Sequence, residues 1–177
     1  MKEMLSYGLR LGLICLVASG LLAGMNALTK NKIMAQAQAE EQASLKEVVP
    51  SGEHFEAVES QAGEVIYYKA HDKNGKLIGV AFKTSGKGYS STVETMVGMG
   101  LDGSIINIKV LSQNETPGLG ARVVEPDFTG QFARKDIQNL NEVQAITGAT
   151  ISSHAVIDSV KKKAEEIQAL MKDAPSK

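Results

Sequence analysis

A cluster of hydroxyl-bearing and small residues, TGATISS, lies at 147–153, directly before the last helical pattern of the chain. Its four hydroxyl residues and two smallest residues are Thr147, Thr150, Ser152, Ser153, Gly148 and Ala149. Ser152 or Ser153 is predicted to be the N-cap, because its side-chain oxygen can accept from first-turn amides. Free N–H groups at a helix start, beside small residues, are typical of a phosphate site. An ordinary capped helix gives the same pattern, so both interpretations stay open for this segment alone.

A second segment, ETPGLG at 115–120, follows a strand-like run and has neither a helix nor a strand pattern. Pro117 fixes one φ angle, whereas Gly118 and Gly120 permit a positive φ or the close approach of a ligand. Taken alone, this segment is predicted to be a turn.

Together, the two segments resemble the FMN-binding domain of one family. They stand in the order ETPGLG then TGAT, about thirty residues apart, as in the G subunit of the Rnf electron-transport complex. That protein is a relative of the C subunit of the sodium-pumping NADH:quinone reductase. The chain length and a single apolar N-terminal segment also fit, so the resemblance covers nearly the whole chain.

The resemblance implies a covalent cofactor. In the family, the last threonine of a Ser/Thr-Gly-Ala-Thr motif carries FMN through a phosphoester bond, and here that residue is Thr150. The other residues implied to bind FMN are Thr147, Gly148, Ala149, Ser152, Ser153, Glu115, Thr116, Gly118, Leu119 and Gly120. Glu115 has a second interpretation, as a turn carboxylate bonded to nearby amides. Tyr89 is expected either to approach the flavin ring or to pack within the protein.

One position departs from the family pattern. An acidic residue, typically aspartate, usually lies three positions before the Ser/Thr-Gly-Ala-Thr motif, and here that position is Gln144. If the flavin transferase needs that carboxylate, attachment to Thr150 is expected to be inefficient or absent. Gln144 therefore supports an alternative function, that of a flavin-free structural or assembly subunit of the same kind of membrane complex.

The function implied by the resemblance is that of a non-catalytic electron-carrier subunit. It would work in an ion-translocating ferredoxin:NAD oxidoreductase, with the A, B, C, D and E subunits of that complex as partners. NAD and ferredoxin would bind those other subunits, since this chain has no Rossmann fingerprint and no cysteine ligands for an iron–sulfur cluster. A free-standing FMN-dependent reductase would need a second catalytic domain, for which the chain is too short.

The composition excludes several other classes. The 19 basic and 20 acidic residues nearly cancel, which leaves no electrostatic footprint for nucleic acid. Cys15 is the single cysteine, so an internal disulfide and a cysteine-rich metal site are excluded. The three histidines are scattered without ligand-like spacing, which argues against a metal site.

The N-terminal segment 11–28 has no charged residue and is about long enough to span a membrane as a helix. A cleaved signal peptide has a shorter apolar region, and the Ala-Gln-Ala at 35–37 lies well past the apolar end, so an uncleaved single-pass anchor is predicted. Basic residues flank the segment on both sides and do not settle its orientation. The resemblance implies the cytoplasmic (inner) membrane, with the C-terminal domain on the extracytoplasmic side.

The fold expected from these patterns is α+β. An N-terminal transmembrane helix is followed by an FMN-binding domain with a mainly antiparallel twisted sheet and packed helices. The predicted divisions are a cytoplasmic leader and transmembrane helix at 1–30, a helical connector at 31–52 and the FMN-binding domain at 53–177.

Local patterns specify the elements of the domain. An edge strand is expected at 55–58. Asn-Gly and Asp-Gly pairs predict two hairpins, which join 64–71 to 76–83 and 91–100 to 104–111. The segment 85–90 is predicted to be a flexible glycine-rich loop, and the tail 173–177 to be frayed. Phe128 and Phe132 are expected in the core, and the apolar face of the final helix is predicted to be Val156, Val160, Ala164, Ile167 and Leu170.

Overall fold

The structure is a computed structural model that describes residues 2–60 and 63–173. Most of the predicted tail, 174–177, lies outside the described residues. The principal elements are α1 (Lys2–Val48), β1 (His54–Glu59), β2 (Val65–His71), β3 (Leu77–Lys87), β4 (Thr92–Gly100), β5 (Ile105–Ser112), α2 (Pro126–Thr129) and α3 (Thr150–Asp173). Short 3-10 helices lie at Gly120–Val124, Gly130–Phe132 and Ile137–Glu142.

The chain divides into two compact units between Gln42 and Ala43. Most of α1 forms the first unit, and its last turn belongs to the second. The helix is long and apolar enough to cross a membrane, and its large apolar side chains between Tyr7 and Leu28 are exposed. Apolar side chains exposed around a helix of this length are what a lipid environment accommodates. The helix therefore has the properties of the predicted single-pass anchor. The predicted domain boundaries at 30 and 52 stay predictions.

The second unit contains a five-stranded antiparallel sheet in the order β1-β2-β3-β4-β5. Both predicted hairpins are confirmed, with Tyr68 opposite Ala81 in the first and Val97 opposite Ile108 in the second. Their turns contain Gly75 and Gly103, with φ angles of 75° and 88°, which is why these turns use glycine. Strands that are neighbours in the sheet are also neighbours in sequence. A short connection therefore joins each hydrogen-bonded pair of strands.

The sheet is covered on both faces. One face packs against α3 and the short helices. This core holds the predicted anchors Phe128 and Phe132, which meet edge to face at 5.5 Å between ring centroids. The opposite face packs against the last turn of α1, where Leu45 and Val48 are fully buried. A Cβ at residue 98, which is glycine, would lie 2.2 Å from the carbonyl oxygen of Val48, so this close packing requires the absence of a side chain.

Two local predictions are wrong. Residues 85–87, expected in a loop, extend β3, because they pair with residues 94 to 92 of β4 and thereby gain partners for their backbone groups. Leu170, expected on the buried face of α3, is 40 % exposed, and Met171 packs against the core at that end of the helix instead. The other four predicted positions on that face, 156, 160, 164 and 167, are fully buried.

Candidate functional site

A cleft of about 540 Å³ opens where α3 begins. Its walls come from the loop after β3, from the ETPGLG segment and from the first turn of α3. The lining residues are Tyr89, Glu115, Thr116, Leu119, Gly120, Gly148, Ala149, Thr150, Ile151 and Ser152. Most of the predicted site residues thus meet in one cleft, whose volume falls in the range of about 300–1,000 Å³ typical of ligand sites. Thr147, Gly118 and Ser153 are not among its lining residues.

The helix that forms one wall begins earlier than expected. α3 starts at Thr150, and the N–H of Ser153 donates to the carbonyl of Ala149 at 2.9 Å, as a residue one turn inside a helix does. The prediction that Ser152 or Ser153 is the N-cap is therefore wrong. The reason lies in the preceding turn, where Gly148 adopts a φ of 80° and the N–H of Ala149 donates to Ile146, so the chain enters the helix there.

The four hydroxyls of the TGATISS segment lie in different environments. Ser152 is buried, and its hydroxyl donates to a carboxylate oxygen of Glu115 at 2.5 Å. Ser153 is also buried, and its hydroxyl donates to the carbonyl of Ala149 at 2.9 Å. Thr147 and Thr150 are exposed, and of these two Thr150 lines the cleft. Thr150 is therefore the hydroxyl of this segment that is both accessible and inside the site.

The position of Thr150 also suits a phosphate. The first N–H groups of an α-helix have no acceptor within the helix, and the helix dipole places partial positive charge there. Thr150 is the first residue of α3, so a phosphate bound at this position would lie beside these groups.

Glu115 joins the three walls of the cleft. Its Oε2 accepts from the N–H of Tyr89 at 3.1 Å and from the Ser152 hydroxyl. Its Oε1 accepts from the N–H groups of Ser90 and Ser91 at 3.0 and 2.8 Å, and from the Ser91 hydroxyl at 3.1 Å. One buried carboxylate thus connects the loop after β3, the ETPGLG segment and α3.

These donors determine the charge of Glu115. Burial raises the pKa of its carboxyl, but the hydrogen bonds from the Ser152 hydroxyl and from the N–H groups of Ser91, Ser90 and Tyr89 outweigh burial. Together they lower the pKa from 4.5 to about 2. The group is ionised at neutral pH and surrounded by donors of the protein. This geometry is that of a turn carboxylate bonded to nearby amides, and direct contact of Glu115 with FMN stays a prediction.

Two glycines make room for this carboxylate. A Cβ at Gly120 would lie 2.6 Å from the Ser152 hydroxyl oxygen and 2.9 Å from Oε2 of Glu115. A Cβ at Gly88 would lie 2.6 Å from Oε1 of Glu115. The glycine of ETPGLG at 120 therefore admits the carboxylate–hydroxyl pair.

A further glycine positions α3, and sequence reasoning missed it. A Cβ at Gly86 would lie 1.9 Å from the carbonyl oxygen of Ala155, so the backbones of β3 and α3 are in direct contact there. Two residues earlier, the hydroxyl of Thr84 donates to the carbonyl of Ser159 at 3.0 Å. The segment expected to be a flexible loop is thus a strand on which the first turns of α3 rest. Gly86 stands between Ser85 and Lys87 in a segment with the composition of a loop, so the sequence carried no signal of this contact.

The cleft also has an exposed apolar rim. Tyr89 is 73 %, Ile151 56 % and Leu119 47 % exposed, although all three line the cleft. Ile151 was not among the predicted site residues. Large apolar side chains beside a hydroxyl and a helix start fit a ligand with a flat aromatic part and a phosphate. The residues present therefore fit FMN.

Gln144, the position that departs from the family pattern, is exposed and precedes the cleft-lining segment. Its N–H donates to Oε1 of Gln131 at 2.9 Å, and Nε2 of Gln131 donates to its carbonyl at 3.4 Å. These two hydrogen bonds from the Gln131 side chain hold the backbone at residue 144, although the side chain there is not a carboxylate.

Comparisons with known proteins cover both the N-terminal helix and the domain that contains the cleft. Residues 88–165 match the FMN-binding domain model, and residues 1–48 match the model of the RnfG N-terminal region. The chain is similar to the G subunit of the ion-translocating oxidoreductase complex of Methanosarcina acetivorans, at 34 % identity over 86 % of this chain and 90 % of that protein.

Two further relatives carry more specific names. The G subunit of the Na⁺-translocating ferredoxin:NAD⁺ oxidoreductase complex of Acetobacterium woodii is 33 % identical over 97 % of this chain and 95 % of that protein. The G subunit of the proton-translocating ferredoxin:NAD⁺ oxidoreductase complex of Clostridium ljungdahlii is 32 % identical over 89 % and 88 %. Among solved structures, NqrC of Shewanella oneidensis has a TM-score of 0.48 at 19 % identity, over 67 % of this chain and 72 % of that one. On the sequence matches, the chain belongs to the family of G subunits of Rnf-type ion-translocating oxidoreductase complexes and contains that family's FMN-binding domain.

Proposed function

We propose that this protein is a membrane-anchored electron-transfer subunit that carries FMN in phosphoester linkage to Thr150. The observation that supports this most directly is the position of Thr150. Within the TGATISS segment its hydroxyl is the one that is exposed, lines the cleft and opens α3. The hydroxyls of Ser152 and Ser153 form hydrogen bonds within the protein. Thr147 is not among the residues that line the cleft.

FMN, when bound, supplies the redox chemistry, and the protein supplies position and electrostatics. Thr150 would hold the phosphate end, next to the first-turn N–H groups of α3. Tyr89, Leu119 and Ile151 would offer apolar surface for the ring. Gly148 and Ala149 carry no side chain beyond a methyl group, so they would leave room for the ligand near Thr150. Thr116 would add a polar contact. Glu115 and Ser152 hold the walls of the cleft together through their hydrogen bond.

The proposal includes the surroundings of the domain. Two relatives are named as subunits of ferredoxin:NAD⁺ oxidoreductase complexes, one sodium-translocating and one proton-translocating. By analogy, this chain works in such a complex with the A, B, C, D and E subunits, and receives its FMN from a flavin transferase. α1 anchors it in the cytoplasmic membrane, with the C-terminal domain on the extracytoplasmic side.

A mass spectrum of the full chain, purified from its own membrane, tests the attachment. We expect the peptide that contains Thr150 to gain the mass of FMN minus one water. Thr150→Val is expected to remove this gain and leave the fold nearly intact, because it removes only the attachment oxygen from an exposed position. Thr147→Ala is the matched control and is expected to keep the flavin. Flavin retained in Thr150→Val, or lost in Thr147→Ala alone, would refute the assignment.

Gln144 supports a second candidate, a flavin-free structural or assembly subunit of the same kind of complex. An unmodified Thr150 peptide, from a membrane in which the flavin transferase is active, would favour that candidate over the covalent electron carrier.

A further inference from the structure

The four residues before Thr150 form a turn, which we refer to as the 146–149 turn. It consists of Ile146, Thr147, Gly148 and Ala149, and the N–H of Ala149 donates to the carbonyl of Ile146 at 2.9 Å. Gly148, the third residue, has a φ of 80°, the sign that a type II turn requires at this position. Thr150 is the next residue along the chain and the first of α3. The conformation of this turn therefore determines where the Thr150 hydroxyl is presented.

The side chain of Ser153 bonds to both the first and the last residue of this turn. Its hydroxyl oxygen accepts from the N–H of Ile146 at 3.0 Å, and its O–H donates to the carbonyl of Ala149 at 2.9 Å. The N–H of Ser153 donates to the same carbonyl at 2.9 Å. A serine hydroxyl has one donor and two acceptor positions, so it can make both side-chain bonds at once. Ser153 thus joins the two ends of the 146–149 turn.

Ser153 lies behind the turn and not in the cleft. Its exposed fraction is 0 %, and it is not among the residues that line the cleft, whereas Thr150 is. Ile146, which donates to Ser153, packs against the core formed with α3. Because the Ser153 hydroxyl is buried and bonded to backbone groups of the turn, any effect that it has on a ligand passes through the backbone that leads into Thr150.

The 146–149 turn also meets the opposite wall of the cleft. A Cβ at Gly148 would lie 3.2 Å from Cδ2 of Leu119, so the Leu119 side chain lies against the backbone of the turn. Both residues line the cleft, and Leu119 belongs to the ETPGLG segment. A turn that opened would therefore move Thr150 and also disturb the contact between the two motifs.

We propose that Ser153 is a positioning residue for the attachment of FMN, because its hydroxyl holds the 146–149 turn in the conformation that presents Thr150 to the flavin transferase. This inference rests on the proposed function. A turn that is already closed spares the encounter the entropic cost of ordering it. The two adjacent serines then hold different structures. Ser152 bonds to Glu115 and joins the walls of the cleft, whereas Ser153 closes the turn that carries the attachment residue.

The first test asks whether the hydroxyl holds the turn, and it compares Ser153→Ala with Ser159→Ala in the full chain. Ser159 lies in the same helix, and its hydroxyl donates to the carbonyl of Val156 at 3.0 Å, so its removal deletes a comparable bond away from the turn. Flavin-free protein, made in a host without the transferase and purified in detergent, is assayed by hydrogen exchange of the peptide 144–150. We expect exchange there to be about tenfold faster in Ser153→Ala, because the N–H of Ile146 loses its acceptor, and unchanged in Ser159→Ala.

The second test measures the rate of attachment, in a host in which the transferase is induced after this chain. The fraction of modified Thr150 is followed over time by peptide mass. We expect the initial rate to fall about tenfold in Ser153→Ala, as the loss of two hydrogen bonds from the turn implies, and to stay at the wild-type value in Ser159→Ala. Ser153→Thr, which keeps the hydroxyl, is expected to lie closer to wild type than Ser153→Ala in both tests. Near-ultraviolet circular dichroism establishes that each variant is folded, so that a loss of overall stability cannot by itself lower the rate.

The possible failures are distinguishable. Wild-type exchange of 144–150 in Ser153→Ala would show that the hydroxyl does not hold the turn. Faster exchange with a wild-type rate of attachment would show that the transferase does not need the closed turn. An equal fall in the rate in Ser159→Ala would make the effect general to α3. Each of these results would overturn this inference and leave the proposed function intact. A wild-type chain that stays unmodified at Thr150 would overturn the proposed function, and this inference with it.

Discussion

Replacement of Glu115 by glutamine is expected to destabilise the domain strongly at neutral pH. The carboxylate accepts five hydrogen bonds, from four residues in two separate segments. An amide of the same size has one acceptor oxygen, and it directs an NH₂ group toward some of these donors. Buried donors would then be left unsatisfied beside the cleft, which costs free energy.

The pKa of Glu115 gives the magnitude. Its fall from 4.5 in the unfolded chain to about 2 in the folded protein corresponds to about 3 kcal/mol, at about 1.4 kcal/mol per pH unit. A lowered carboxyl pKa stabilises the fold fully above the unfolded value, and this contribution is lost as the pH falls through the folded value. We therefore expect about 3 kcal/mol of extra stability near neutral pH that disappears between about pH 5 and pH 2. This is a large part of the roughly 5–15 kcal/mol that holds a typical domain folded.

Urea unfolding of the full chain in non-ionic detergent measures this contribution. The near-ultraviolet circular dichroism of tyrosine is a suitable signal, since the chain has no tryptophan and three of its four tyrosines lie in the domain. Glu115→Gln is expected to lose about 3 kcal/mol near pH 7 and to show a flatter dependence on pH than wild type below about pH 5. Glu165→Gln, at an exposed position on α3, is the control and should change stability by less than about 0.5 kcal/mol. Wild-type stability of Glu115→Gln near neutral pH, or an unchanged slope in acid, would refute this account of the carboxylate.

Two further outcomes are expected. Gly86→Ala should destabilise the domain by about 1–3 kcal/mol in the same urea assay, since the added methyl group meets the backbone of Ala155; wild-type stability would contradict the close contact of β3 with α3. Gln144→Asp should raise the fraction of chains with flavin on Thr150, as read by peptide mass, because it restores the acidic residue usual in the family; an equal fraction in both proteins would show that this carboxylate is dispensable for attachment.

The sheet was predictable because its determinants are local. Each hairpin has a two-residue turn signal, and the glycines at 75 and 103 adopt the positive φ angles that such turns need. The strands between them pair with their sequence neighbours, so no long-range information was required. The end of β3 could not be read in the same way. The composition of residues 85–87 is that of a loop, and their strand conformation depends on pairing with β4 and on contact with α3.

The sequence predicts which segments form the site, but not what each residue in these segments does. The hydroxyl cluster and the glycine-rich turn identify which segments meet, and the structure brings them together in one cleft. The sequence alone does not say which hydroxyl is accessible, since that depends on Glu115, 37 residues before its partner Ser152. It also does not identify Ile151, because an exposed isoleucine is a common feature with many explanations.

Under the proposed function, the two motifs contain residues that would face FMN and residues that hold the walls of the cleft. Ser152 and Gly120 belong to the second group, because one donates to Glu115 and the other leaves room for that bond. Thr150, two residues before Ser152, belongs to the first, since its hydroxyl is not used inside the protein's core. A substitution at Ser152 should therefore act through the stability of the domain, whereas one at Thr150 should act on the attachment alone. The TGATISS segment thus meets two physical requirements within one turn of α3. Thr150 keeps a hydroxyl accessible in the cleft, and Ser152, on another face of that turn, stabilises the wall through Glu115.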